Sequence, residues 1–223
     1  MNVKSILAAG ALLLATTSVQ AAETSAKYEI QFQGQWTATS HPLEYPSNAH
    51  FSGLVGATHN GAYKLFRVGD NATDGLKRLS EMGAHAPFDQ EIRAAIAAGQ
   101  AGQLFETGAL FGAPWQSKAE FSVDQKNNMV SFAAMIAPSP DWFTGASDVT
   151  LWENGDWVRE KTLMLYAYDA GTDNGKTYQA ADMEAAPRGS VALNQAPHFV
   201  KDGKLKNPIV SPVATVVIRR LDK

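Results

Sequence analysis

Short runs in which apolar and polar residues alternate, each closed by turn formers, constrain this chain more than any other feature. The clearest is Lys27-Tyr28-Glu29-Ile30-Gln31-Phe32-Gln33. A period of two puts every second side chain on one face and makes a half-buried strand. Further strands are expected over residues 62–68, 120–123, 129–136, 149–152, 157–158, 162–166, 189–193 and 214–220. Lys126-Asn127-Asn128 would turn 120–123 back onto 129–136 as a hairpin, and Asn154-Gly155-Asp156 supplies another turn. Two segments read as helices. Residues 74–82 are closed by Gly83; in residues 88–98, Ile92 and Ile96 fall four apart, Asp89 and Glu91 sit near the start, and Gly99 is placed to end it. Many short strands with one or two short helices imply a mainly β fold, an antiparallel sandwich or barrel. No repeat, low-complexity linker or charge run divides the chain.

The first residues read as a targeting segment. A short basic start at residues 1–4 precedes an apolar run over 6–16 that is too short to span a bilayer. Val19-Gln20-Ala21 then offers small side chains where a signal peptidase reads. The expectation is a cleavable signal over residues 1–21, cut after Ala21 or Ala22, and one domain over residues 22–223. That is about 200 residues, enough for a sizeable core. No later run approaches membrane-spanning length, so a secreted or periplasmic protein with no integral membrane segment is expected. The formal charge of −3 makes nucleic acid a poor partner. With no cysteine in the chain, stability must come from core burial, with metal binding as a possible addition. Export without cysteine suits a bacterial envelope or secreted protein.

Two acidic loops carry the strongest chemical signal: Pro138-Ser139-Pro140-Asp141-Trp142-Phe143 and Tyr168-Asp169-Ala170-Gly171-Thr172-Asp173-Asn174-Gly175. Each follows an apolar run, so a sheet can bring Asp141, Asp169 and Asp173 to one edge. Carboxylates held together repel one another, and a hard cation such as Ca2+, which takes about six to eight oxygens, resolves the conflict. Gly171 permits the curl that Asp169 and Asp173 need to face one ion. The segment is not an EF-hand. Counting from Asp169, the sixth residue is Asn174 where glycine is required, and the twelfth is Ala180 where glutamate is required. On spacing alone an Asx turn at Asp141 and an ordinary Asp-Asn-Gly turn account for the same residues.

The same strings carry a family resemblance. Pro138-Ser-Pro-Asp-Trp-Phe-Thr-Gly145, Leu151, Trp157 and Leu163-x-Leu165-Tyr166-x-Tyr168-Asp169-Ala-Gly-Thr-Asp173-x-Gly175 resemble the spondin domain, the amino-terminal domain of F-spondin and mindin. Upstream, Gly34-x-Trp36, His41-Pro42, Tyr45-Pro46, Ala49-His50-Phe51-Ser52 and Val55-Gly56-Ala57-Thr58-His59-Asn60 are similar to the same family, as are Gly69, Gly75 and Glu81-x-Gly83. The similarity runs from about Tyr28 to the final strand. It implies an eight-stranded antiparallel β-sandwich, similar to C2 domains, with a calcium ion on three aspartates: by motif position Asp141, Asp169 and Asp173. Animal members act in the extracellular matrix and in adhesion, and mindin also binds integrins and microbial surfaces. Two departures stand out. Trp152 occupies a place where animal members show a cysteine, and the thrombospondin type 1 repeats that usually follow the domain are not expected within residues 1–223.

Other chemistry has weaker support. His50 and His59 are separated by eight residues, which matches no standard zinc spacing, and no His-Glu-x-x-His occurs. They read as residues that hydrogen-bond the backbone. There is no Gly-x-Ser-x-Gly elbow, and Ser139 between two prolines is an implausible nucleophile. Glu44, Glu81 and Glu106 are unplaced carboxylates. Trp115, Trp142, Trp152 and Trp157 would form a sugar platform if exposed, although tryptophan more often packs inside, and Trp142 is placed to buttress the acidic loop. Lys201, Lys204 and Lys206 form a small basic cluster. The expected function is therefore a non-enzymatic, calcium-binding module for recognition or adhesion. Its partner would be an extracellular or envelope protein or glycan. A metal-dependent hydrolase of envelope polymers, using His50 or His59, and a carbohydrate-binding module are the rival readings.

Overall fold

The alternation at the start of the chain becomes the central strand of one of two antiparallel sheets. The computed structural model describes residues 23–222, so the expected signal segment and its cleavage site lie outside the described residues. Strand β1 (Ser25–Gly34) buries Ala26, Tyr28, Ile30, Phe32 and Gly34 and turns the residues between them outward. It pairs on one side with β14 (Ala214–Arg220) and on the other with β6 (Gln116–Asp124); β11 (Glu160–Leu165) adds to β14. The order is β11-β14-β1-β6, an open sheet with one face toward solvent.

The second sheet is built around β7 (Met129–Ala137), whose sequence MVSFAAMIA is buried at every position after the first. A strand covered on both faces needs no polar alternation. It is flanked by β8 (Trp142–Thr150) and by β3 (Val55–His59), which pairs onward with β4 (Ala101–Glu106). Short strands extend the rims: β2 (His50–Phe51), β5 (Leu110–Phe111), β12 (Ala167–Asp169) and β13 (Ala192–Leu193). A separate hairpin pairs β9 (Trp152–Glu153) with β10 (Asp156–Trp157) through Asn154 and Gly155, both at positive φ. Among the described residues, strands β1, β3, β4, β6, β7, β8, β11 and β14 are the eight that reach five residues, four in each main sheet. The sheets are open, which selects the sandwich over the barrel.

Between the sheets lies the larger core, with Tyr28, Ile30, Phe32, Phe121 and Val216 meeting Val130, Phe132, Ala134, Ile136 and Trp142. On the other face of β7, Val55, Ala57, Ala133 and Phe143 pack under helices α1 (Asp74–Met82) and α2 (Phe88–Ala97) through Leu76, Leu79, Phe88 and Ile92. The Thr73 side chain accepts from Leu76 N and caps α1, and Gly83 ends it at φ 65°. Glu91 of α2 reaches back to accept from Gly75 N at 2.7 Å and from the Thr73 hydroxyl at 2.7 Å, joining the two helices. Among the described residues no helix is long and apolar enough to cross a membrane.

Three expectations are corrected. Strands β6 and β7 do not form a hairpin: β6 pairs with β1, β7 with β3 and β8, and the turn between them crosses from one sheet to the other. The alternating β6 suits a solvent-facing sheet, whereas the continuous apolar β7 must be covered on both sides. Residues 62–68 are a loop, not a strand. Asn60 Oδ1 accepts from Ala62 N and starts a turn, and Leu65 and Phe66 are buried as loop residues, Phe66 against Phe143 and Tyr168. Of residues 189–193 only Ala192–Leu193 is strand.

Candidate metal centre

The three aspartates lie at the same rim of the second sheet, where β7 ends and β8 begins. Asp141 is the last residue before β8, and Asp169 is the last of β12, directly opposite Trp142 in the β8–β12 ladder. Strand pairing therefore brings together two residues that are 28 positions apart. After Asp169 the chain curls at Gly171, at φ 72°. A Cβ there would stand 2.6 Å from the backbone of Gly189, whose N–H donates to the Gly171 carbonyl at 2.7 Å. Glycine is required for both the dihedral and the close approach.

The curl aims the loop's N–H groups at Asp141. Oδ2 of Asp141 accepts from Thr172 N at 2.7 Å and from Asp173 N at 3.1 Å, with the Thr172 hydroxyl at 3.3 Å. Asp173 Oδ1 accepts from Gly175 N at 2.7 Å, and its Oδ2 from Met183 N at 2.6 Å. Asp169 Oδ1 accepts from Gly171 N at 2.8 Å. Asp141 is fully buried, Asp173 nearly so and Asp169 partly. Trp142, next to Asp141, is buried, edge-on to Tyr178 and Phe199 and tilted against His198.

One buried oxygen of the three carboxylates is left over. Asp141 Oδ1 is buried and has no hydrogen-bond partner. Burial, and next the charge of Asp169, push the Asp141 carboxyl up to about 6, against the two N–H groups that favour its charged form. Burial likewise raises Asp169, opposed by the Gly171 N–H and the charge of Lys176. A buried acid with an unpaired oxygen and an acidic neighbour is electrostatically unfavourable at neutral pH. The fit to a hard cation rests on this. Asp141 Oδ1 would meet the ion, with Asp169 and Asp173 supplying further charge. Among the described residues no three His, Cys, Asp or Glu side chains are grouped closely enough to hold a metal ion as they stand. The two acidic loops share a charge conflict, but the aspartate oxygens have not converged on one point.

The other candidates lie elsewhere. His59 is fully buried and paired with Met129, at the far end of β7 from Asp141; Nδ1 meets the Asn60 carbonyl and Nε2 the Ser131 hydroxyl, each at 2.8 Å. His50 is at the near end, paired with Ala137, but its Nδ1 meets the Asn48 carbonyl at 2.8 Å and its ring stacks on Phe111. Glu44, Glu81 and Glu106 are held separately by His198, Lys77 and His85. Trp115, Trp142 and Trp157 are buried and Trp152 packs edge-on against Trp157, so no tryptophan platform is exposed. Sequence reasoning missed Thr172, Met183 and Gly189 as contributors to the loop. Thr172 stood inside the quoted motif, but only the folded chain shows its N–H on Asp141.

The profile of the Spondin_N family matches residues 26–200, which include all three aspartates and both sheets except β14. The chain belongs to the spondin N-terminal domain family. It is 34% identical over 211 residues to Spondin-1 of Xenopus laevis and 36% identical over 200 residues to Spondin-2 of Homo sapiens. These matches cover 88% and 81% of this chain, but 25% and 59% of the two relatives. This spondin domain thus spans less than two-thirds of the curated relatives it matches.

Proposed function

We propose that this spondin domain is an exported, non-enzymatic recognition or adhesion module whose two acidic loops are clamped together by calcium. The observation that carries the proposal is the unpartnered, buried Asp141 Oδ1 beside two further acids. Asp141, Asp169 and Asp173 would hold the ion, with backbone carbonyls and water completing its shell. When bound, the ion supplies charge neutralisation. The chain's own part is to fix the loops: Thr172 and Asp173 donate to Asp141, Gly171 docks on Gly189, and Trp142 excludes water from behind. The recognition surface would then be the loops that these contacts make rigid. Membership of a family whose named relatives are spondins supports export and extracellular recognition. The burial of His59 and its place at the far end of β7 argue against a hydrolytic role with the same ion. Metal analysis of protein purified without chelator, followed by calcium titration calorimetry of the stripped protein, tests the reading. Stoichiometric calcium binding that Asp141→Asn abolishes is expected; no heat and no metal would overturn it.

A further inference from the structure

A second surface, separate from the aspartates, is presented by residues 199–211. The base of this loop is fixed. Ser211 N donates to the Phe199 carbonyl and Lys201 N to the Ile209 carbonyl, each at 2.8 Å, and Val200 bridges Val210. Phe199 is fully buried against Trp142. Asp202, Gly203 and Asn207, all at positive φ, turn the tip. The tip carries Lys201, Lys204 and Lys206, all exposed, against a single acid, Asp202. Among the described residues, the ion contact these lysines make is Lys204 to Asp202, at 3.9 Å.

Interleaved with the lysines are apolar side chains that the fold leaves in water. Leu205 is 60% and Ile209 68% exposed. A cavity of about 490 Å³ separates the base of the loop from residues 39–43; Val200 and Lys201 line one wall, and Leu43, itself 43% exposed, lines the other. The surface therefore combines net positive charge with projecting leucine and isoleucine, in a protein of net charge −3. A sulfated or phosphorylated polysaccharide would meet the lysines and leave the apolar side chains hydrated. An anionic bilayer satisfies both, because lysines are drawn to its headgroups and short apolar side chains bury in its interface.

We propose that this loop docks the protein on an anionic phospholipid surface, with Lys201, Lys204 and Lys206 against the headgroups and Leu205 and Ile209 entering the interface. The test is co-sedimentation with phosphatidylcholine vesicles with and without about 30% phosphatidylglycerol, at low and high salt. Chelator is present throughout, so that a failed calcium site leaves the result unaffected. Binding to the anionic vesicles is expected. The K204E/K206E and L205S/I209S pairs should each weaken it about tenfold or more. All four positions are exposed, and unchanged melting midpoints show that the variants fold. No binding by the native chain would overturn the proposal. So would loss in the lysine pair with none in the Leu205/Ile209 pair, which is the behaviour of a polyanion site.

Discussion

Asp141→Asn separates the cost of the buried charge from its use. In the metal-free protein the Asp141 carboxyl is raised from 3.8 to about 6, chiefly by burial. At about 1.36 kcal/mol per pKa unit, keeping it charged at neutral pH costs about 3 kcal/mol of folding stability. Asparagine has the same shape, and its carbonyl can still accept from Thr172 N and Asp173 N, though more weakly than a carboxylate. The expected net gain in chelator is about 1–2 kcal/mol, a rise in melting midpoint of roughly 2–8 °C for a domain of about 200 residues. Calcium should act in the opposite sense. With a Kd on the order of 10⁻⁴ to 10⁻³ M, about 10 mM calcium stabilises the native protein by about 1.4–2.7 kcal/mol and the variant hardly at all. Calorimetric melts of both proteins, with chelator and with calcium, read all four values. If asparagine lowers the midpoint in chelator, Asp141 Oδ1 is satisfied and the reasoning fails. If calcium shifts both proteins equally, the ion binds elsewhere.

Other outcomes follow from the same contacts. Without metal, the Asp141 and Asp169 contributions to stability are complete below about pH 4 and are lost as pH rises, for Asp141 through about 6, because both folded-state pKa values are raised. Asp141→Asn should therefore flatten the fall relative to the native protein in chemical denaturation across that range. The opposite slope from His41, whose pKa burial lowers, is common to both proteins. Gly171→Ala should cost about 1–3 kcal/mol and abolish the calcium response, since its Cβ meets the Gly189 backbone at a positive φ; paired melts check this. Trp142→Ala should cost about 3–5 kcal/mol by opening a cavity beside Phe199 and Tyr178. His50→Ala should leave the calcium response unchanged, since its ring engages Asn48 and Phe111, and calorimetry would show otherwise if it were a ligand.

The sequence by itself determined the elements whose causes are local. Alternation from Lys27 to Gln33 sufficed for β1, because a period of two reports one buried face. Gly83 marked the end of α1, and Asn154-Gly155 the small hairpin, because those conformations depend on the residues that adopt them. Spacing alone left the three aspartates open to an ordinary-turn reading; the surrounding motif singled them out. Tertiary structure decided what depends on distant partners. Residues 62–68 have strand-like composition, yet Phe66 is needed as a loop residue over Phe143 and Tyr168. Strands β6 and β7 look like a hairpin until the second face of β7 is covered by two helices, which sends the turn between sheets. Asp141 and Asp169 come together through the β8–β12 register, and the unpaired oxygen arises because Thr172 and Asp173 serve only one side of that carboxylate. Local periodicity encodes which face is buried; what lies against that face is a property of the whole chain.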